Sequence, residues 1–157
     1  MQSRTHLCPR ILDYRPPRIA MTLLMAATGL QLSVPAVWTR LTPFPVLAAA
    51  VAISGFLLMT RAWWLFKVKE TAICPTARTT TLITTDIYRW TRNPMYLGIV
   101  FMLLGIGLST GSVFHYLASM TFFAIIDYSF CPYEENKLRV AFGDDFTRYA
   151  NKVRRWL

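Results

Sequence analysis

The sequence predicts an all-α integral membrane protein: a helical bundle of about four transmembrane helices followed by an amphipathic, interfacial C-terminal helix. Three observations predict it. Apolar residues are clumped into runs at 19–38, 44–66, 95–108 and 113–131. A spanning helix needs about 20 such residues; the first two runs meet that length, the fourth nearly does and the third falls short. Basic residues alternate in abundance between successive connections, as the cytoplasmic side of a multi-pass protein requires. Past the last run, Leu138, Phe142, Phe146, Tyr149 and Val153 recur at roughly helical spacing, which suits a helix lying on a membrane or over a site.

The chain of 157 residues suits one domain. Residues 1–18 form a basic arm broken by Pro9, Pro16 and Pro17. Residues 19–66 hold the first two apolar runs, joined by the short Thr42-Pro43-Phe44-Pro45 turn, and predict a two-helix antiparallel hairpin, with Pro35 kinking the first helix near its end. A long connection spans 67–93; connections of this length inside compact domains are functional or disordered. Leu82-Ile83, Tyr88 and Trp90 give it enough apolar content to fold back onto the protein. Asn93-Pro94 predicts a helix start, with Asn93 as N-cap. Ser109-Thr110-Gly111-Ser112 predicts a tight turn between the third and fourth helices, and Gly143 a C-terminal cap before a last helix begun by Asp144 or Asp145.

The formal net charge is +9. Its distribution argues against a nucleic-acid partner. Arg4, Arg10, Arg15 and Arg18 precede the first helix, five cations from Lys67 to Arg92 lie between the second and third, and six from Lys137 to Arg155 come after the fourth, whereas the other two connections hold only Arg40. This bias predicts four spans with both termini in the cytoplasm, the basic excess facing anionic lipid headgroups. Cys8, Cys74 and Cys131, with the isolated His6 and His115, have no metal-ligand spacing, so no metal site is expected.

Several residues carry chemistry, each with a plain structural reading beside it. A helix N-terminus at Asn93-Pro94 offers free N–H groups and a positive dipole end to an anion, and is also an ordinary helix start. Glu134-Glu135 are two carboxylates at the end of a membrane-grade helix, or a solvated helix end paired with Lys137 or Arg139. Tyr96 is a ligand contact or an interfacial belt residue. Asp127 lies within the fourth apolar run, seven residues before Glu134 and so on nearly the same helical face; it is either a proton acceptor and substrate-orienting group or the partner of Arg61, the lone charge of the second run. Gly105, Gly107 and Gly111 allow close helix approach, and Trp63-Trp64 suit a membrane-interface belt.

The blocks RNPMYLG at 92–98, Glu134-Glu135 and FGDDFTRY at 142–149 stand in the order and spacing of a known family. From roughly Thr79 to Leu157 the chain resembles the membrane-embedded S-adenosylmethionine methyltransferases that include isoprenylcysteine carboxyl methyltransferase and the phospholipid methyltransferases. The resemblance implies S-adenosyl-L-methionine as cofactor, an amphipathic or lipid-like acceptor and surrounding membrane lipids, with the cofactor site on the cytoplasmic side. It makes 67–93 a cofactor-covering loop and 94–157 the catalytic hairpin and tail. It places Thr80, Thr81, Leu82, Ile83, Tyr88, Asn93, Pro94, Met95, Tyr96 and Glu134 on the cofactor, leaving Asp127 as the intramembrane candidate for acid–base work. The chain departs from the family at Asn93, where a histidine is usual, at Asp86, where a glycine often stands, and at Phe130, where prenylcysteine enzymes carry a substrate-binding arginine. The alternatives are a non-catalytic membrane module, such as a channel or assembly factor that keeps the cofactor fold, and a reductase of the sterol reductase type, for which the chain is short.

Overall fold

A computed structural model describes residues 15–35, 41–68 and 81–157. It is all-helical among those residues. Helix α1 is Pro16–Ser33, α2 Pro45–Val68, α3 Pro94–Thr110, α4 Val113–Ile125, α5 Cys131–Phe142 and α6 Asp144–Lys152, with a short 3-10 turn at Asp86–Arg89. A π-helical turn, Ile126–Phe130, joins α4 to α5, so Val113–Phe142 is one continuous helix of 30 residues.

Proline and glycine set the ends. Proline occupies the first turn of α1 and α3 and opens α2, where its fixed φ suits the helix and its missing N–H is no loss. Gly111 closes α3 at φ 63° and Gly143 closes α5 at φ 51°, both in the left-handed region open to glycine. Pro35 does not kink α1. It ends it, because the residue before a proline is driven to extended backbone, and Val34 is extended at ψ 136° immediately after Ser33.

That early stop shortens the first of the spans read from the sequence. Among the described residues, two helices, α2 and the continuous α4–α5, are long and apolar enough to cross a membrane. Helix α3 is apolar but has 17 residues. Helix α1 has 18, beginning Pro16-Pro17-Arg18 and carrying Gln31 in its last turn, so its helical apolar stretch is shorter than the run at 19–38. In α2 only 17% of the most apolar stretch is buried, and Val46, Ile53, Leu57 and Trp63 face outward. The core helix of a water-soluble domain would bury such residues.

The helices pack as a row. Helix α2 lies along α3, α3 turns back on α4, and α4 carries α1. The first two helices therefore do not pair as a hairpin; each finds its main partner in the α3–α4 pair. Gly55 and Gly98 explain the α2–α3 contact. A Cβ on Gly98 would stand 2.6 Å from the Gly55 carbonyl oxygen, and the reverse also holds; a Cβ on Gly105 would meet Ala52 Cβ at 2.8 Å. Close approach to α2 thus runs through Gly98 and Gly105, while Gly107 lies against Tyr116 of α4, where a Cβ would stand 3.2 Å away, and Gly111 against the Leu41 carbonyl oxygen.

Three apolar clusters hold the end of the bundle at which α3 begins. Phe122, Ile126, Phe130 and Leu103 form one, with Tyr96 and Ile99 against it. Ala62, Leu65, Ile83 and Tyr88 form the second, with Phe66 and Met95. Phe146, Tyr149 and Val153 of the C-terminal segment pack on Leu82, Leu138 and Phe142 in the third. The expected amphipathic stripe therefore covers protein. Trp156 packs on Phe123 with ring centroids 4.8 Å apart.

Candidate functional site

The three clusters meet around a cavity of about 490 Å³ at the N-terminus of α3, within the roughly 300–1,000 Å³ usual for small-molecule sites. Thr81, Leu82, Ile83, Tyr88, Asn93, Pro94, Met95, Tyr96 and Glu134 all line it. Thr80 lies outside the described residues. Every described residue expected on the cofactor is thus brought to one cavity.

The α3 N-terminus is open. Asn93 stands at the N-cap position, but its side chain does not cap the helix. Its Nδ2 donates instead to the Arg155 carbonyl at 3.2 Å. Pro94 has no N–H, and the first helical bond runs from Leu97 N–H to Asn93 O at 3.0 Å. The amides of Met95 and Tyr96, both cavity-lining residues, precede that bond at the positive end of the helix dipole, which favours an anionic group there.

Glu134 accepts a hydrogen bond from the Tyr96 hydroxyl, joining α5 to α3 across the cavity. Tyr88 is buried, and burial pushes its phenol well above the usual range; it stays neutral at ordinary pH. Its carbonyl accepts from the Tyr149 hydroxyl at 2.7 Å, which pins α6 over the opening.

Four contributors were missed by sequence reasoning. Glu135 is gripped by Arg155, Nε at 2.8 Å and Nη2 at 2.9 Å, with Arg92 Nη2 at 3.4 Å. Arg155 Nη1 and Trp156 Nε1 both donate to Asp127 Oδ1, at 3.0 and 2.9 Å. Hydrogen bonding to Glu135 and Asp127 raises the Arg155 pKa further, so its charge is permanent. The backbone joins in: Arg92 N–H donates to Arg154 O at 3.1 Å, and the Thr91 hydroxyl to Arg155 O at 3.0 Å. The segment Arg154–Trp156 is thereby tied on one side to the approach to α3 and on the other to α4–α5. Arg92 and Glu135 lie inside the motif blocks; nothing local marks Arg155 or Trp156.

Asp127 lies elsewhere than expected. It is not among the cavity's lining residues, and both donors on it come from the C-terminal segment. The seven-residue spacing to Glu134 assumed an unbroken α-helix. The π turn at Ile126–Phe130 inserts a residue and rotates the helix beyond it by about 100°, so the two carboxylates face apart. The alternative partner is corrected too: Arg61 pairs with Asp86, its Nε at 3.1 Å.

Asp86, standing where a glycine was expected, keeps the glycine-like backbone at φ 60°. Its Oδ1 accepts from Ile87 N–H at 2.8 Å, and Arg61 holds its carboxyl below the usual carboxylate range. Local hydrogen bonding of this kind is how Asp tolerates the left-handed region. Asp86→Ala is therefore expected to lower the melting temperature, because alanine keeps the strain and loses both bonds. Asp86→Gly should leave it nearly unchanged, and equal melting of the two variants in detergent would contradict this account.

A family model described as phospholipid methyltransferase matches residues 43–145. The match takes in α2, the block at 92–98, Glu134-Glu135 and the first four residues of the block at 142–149, and so begins well before the likeness read from the sequence alone. A protein of Haemophilus influenzae named only as uncharacterized is 38% identical over 63 residues, 40% of this chain and all of that protein. No solved structure gives a significant match.

Proposed function

The chain belongs to the phospholipid methyltransferase family, and on that premise we propose that it is a multi-pass membrane methyltransferase using S-adenosylmethionine on an amphipathic, lipid-like acceptor. One observation carries the reading: every described residue assigned by the motifs lines the same cavity. The residues present fit the cofactor. The Met95 and Tyr96 amides at the α3 N-terminus suit its carboxylate. Glu134 suits the ribose hydroxyls or the ammonium, and the apolar faces of Ile83, Leu138 and Phe146 suit the adenine. When bound, the cofactor supplies a methyl group activated by the sulfonium charge.

The chain's own contribution is orientation and exclusion of water. Tyr149 and Phe146 cover the cavity, and Tyr96 orients the Glu134 carboxylate. Glu135 is paired with Arg155 and Arg92 and so fixes the wall. Asp127 is taken up by Arg155 and Trp156 in the same way and acts as a positioning residue. Pro16, Pro17 and Ile99 give the cavity an apolar margin suited to the chain of a lipid-like acceptor. The binding reading is tested by calorimetry with S-adenosylhomocysteine. Glu134→Ala should weaken binding about 10- to 100-fold, the loss of one hydrogen bond to a charged group. Unchanged affinity removes Glu134 from the site. No binding by the unaltered protein overturns the cofactor assignment and favours the non-catalytic module. Transfer from methyl-labelled cofactor into a lipid extract tests the acceptor class.

Four spans remain the proposed topology, with α1 and α3 as short spans beside α2 and α4–α5, and with the cofactor cavity on the cytoplasmic side where the basic residues cluster. Reporter fusions after Leu157 and within the 109–112 turn should report opposite faces. The same face for both rules the topology out.

A further inference from the structure

The short turn at Asp86–Arg89 faces two ways. Inward, Tyr88 is buried and lines the cavity at the α3 N-terminus. Outward, Arg89 is exposed, and Trp90, the next residue, is 77% exposed. We propose that Trp90 and Arg89 seat this turn in the headgroup layer of an anionic phospholipid bilayer, beside Trp63, Trp64 and Lys67 of α2.

Two contacts fix the turn to the last two turns of α2. Arg61 Nε donates to Asp86 at 3.1 Å, and Phe66 packs edge-on against Tyr88 with ring centroids 6.0 Å apart. Trp63 and Trp64 lie between these two points along α2, so they and the turn share one level of the bundle. Both indoles are about half exposed, at 47% and 46%. Each has a cation over its ring: Lys67 Nζ is 5.4 Å from the Trp63 centroid, and Arg61 Cζ is 4.7 Å from that of Trp64. An apolar ring with a polar N–H, next to a basic side chain, is the pairing that the membrane–water boundary favours. Trp90 adds a third indole at that level.

Continuity and charge choose the occupant. The patch is the polar end of the outward face of α2, whose earlier turns expose Val46, Ile53 and Leu57. The whole connection at 67–93 holds five cations, Lys67, Lys69, Arg78, Arg89 and Arg92, against two acids, Glu70 and Asp86. Asp86 is engaged by Arg61, and among the described residues neither Lys67 nor Arg89 pairs with a carboxylate. Lipid phosphates complement that excess, whereas a second copy would bring the same cations face to face. Tyr88 stands two residues before Trp90, so the anchor sets the first cavity at headgroup depth, where a lipid-like acceptor presents its polar end. The inference rests on α2 spanning the bilayer, and not on the methyl-transfer reading.

The test is fluorine NMR of the full chain, labelled with fluorotryptophan, in nanodiscs of phosphatidylcholine and phosphatidylglycerol. Trp63→Phe, Trp64→Phe and Trp90→Phe assign the three resonances by their loss. A nitroxide on the acyl chain next to the headgroup should broaden all three. Carried on phosphatidylglycerol, it should broaden Trp90 more than when carried on phosphatidylcholine at the same density, because each cation near the surface enriches anionic lipid about fivefold. Lys67→Gln combined with Arg89→Gln should remove that difference while the broadening by phosphatidylcholine persists. Broadening of Trp63 and Trp64 without Trp90 means that water or another protein covers the turn, and overturns this inference alone. Equal broadening of Trp90 by the two lipids in the unaltered protein overturns it as well. No broadening of any of the three overturns it together with the membrane placement of α2.

Discussion

Gly98→Val is expected to be strongly damaging to the bundle. A β-carbon at Gly98 would lie 2.6 Å from the Gly55 carbonyl oxygen and 3.0 Å from both the nitrogen and Cβ of Met59. Two of these three atoms are backbone, so no side-chain rotation relieves the clash, and α2 must move away from α3. Overpacking commonly destabilises by about 1–3 kcal/mol; a contact against backbone places this change at or above the upper figure. For a chain of this size that is a fall in melting temperature of roughly 6–12 °C. Displacing α2 also moves Phe66 away from Tyr88, with which it packs edge-on at 6.0 Å, so the cavity opens on that side. Gly29→Val is the control, because a β-carbon there meets nothing within 4 Å. Thermal melting of both variants in detergent decides the matter: equal melting would mean that the α2–α3 approach contributes nothing.

Removing the Arg155 guanidinium is expected to release the C-terminal cover of the cavity. Arg155→Ala takes the bidentate partner from Glu135 and one donor from Asp127, in a site where the Glu135 side chain is 16% exposed. Stranding partly buried carboxylates should lower stability by about 2–3 kcal/mol, less than for a fully buried pair. Arg155→Lys should recover part of this, since an ammonium cannot reproduce the planar two-point contact. The specific readout is protease cleavage within residues 143–157, which should accelerate in the alanine variant. Arg154, exposed and with its Nη1 3.4 Å from the Leu157 carbonyl, supplies the comparison. If Arg154→Ala and Arg155→Ala were cleaved at the same rate and melted together, the charge network would not be what holds the segment down.

Much of the site was legible because it is built at helix ends, and helix ends are written locally. Pro94 after Asn93 marks a start, Gly111 and Gly143 mark stops, and Glu134 marks where an apolar run turns polar. Each signal depends on neighbours within a turn or two, so the all-α class, the α3–α4 turn and the cavity wall at Asn93 to Tyr96 came from the residues and the motif resemblance.

What the tertiary structure alone decided involves partners with no local preference. Asp127 has the same intrinsic affinity for Arg61 and Arg155. Only the π turn at Ile126–Phe130 and the docking of the C-terminal segment selected Arg155, while Arg61 found Asp86. The Arg92–Glu135–Arg155 network joins three positions far apart in the chain, which nothing in their own neighbourhoods links. The partner of α1 was likewise open: the short turn at Thr42–Pro45 favoured α2, but Gly55 and Gly98 allowed α3 to come closer to α2 than α1 does. Backbone preference and burial act over a few residues and leave a periodic trace in the sequence. Charge pairing and helix choice depend on distances that exist only once the whole bundle has formed.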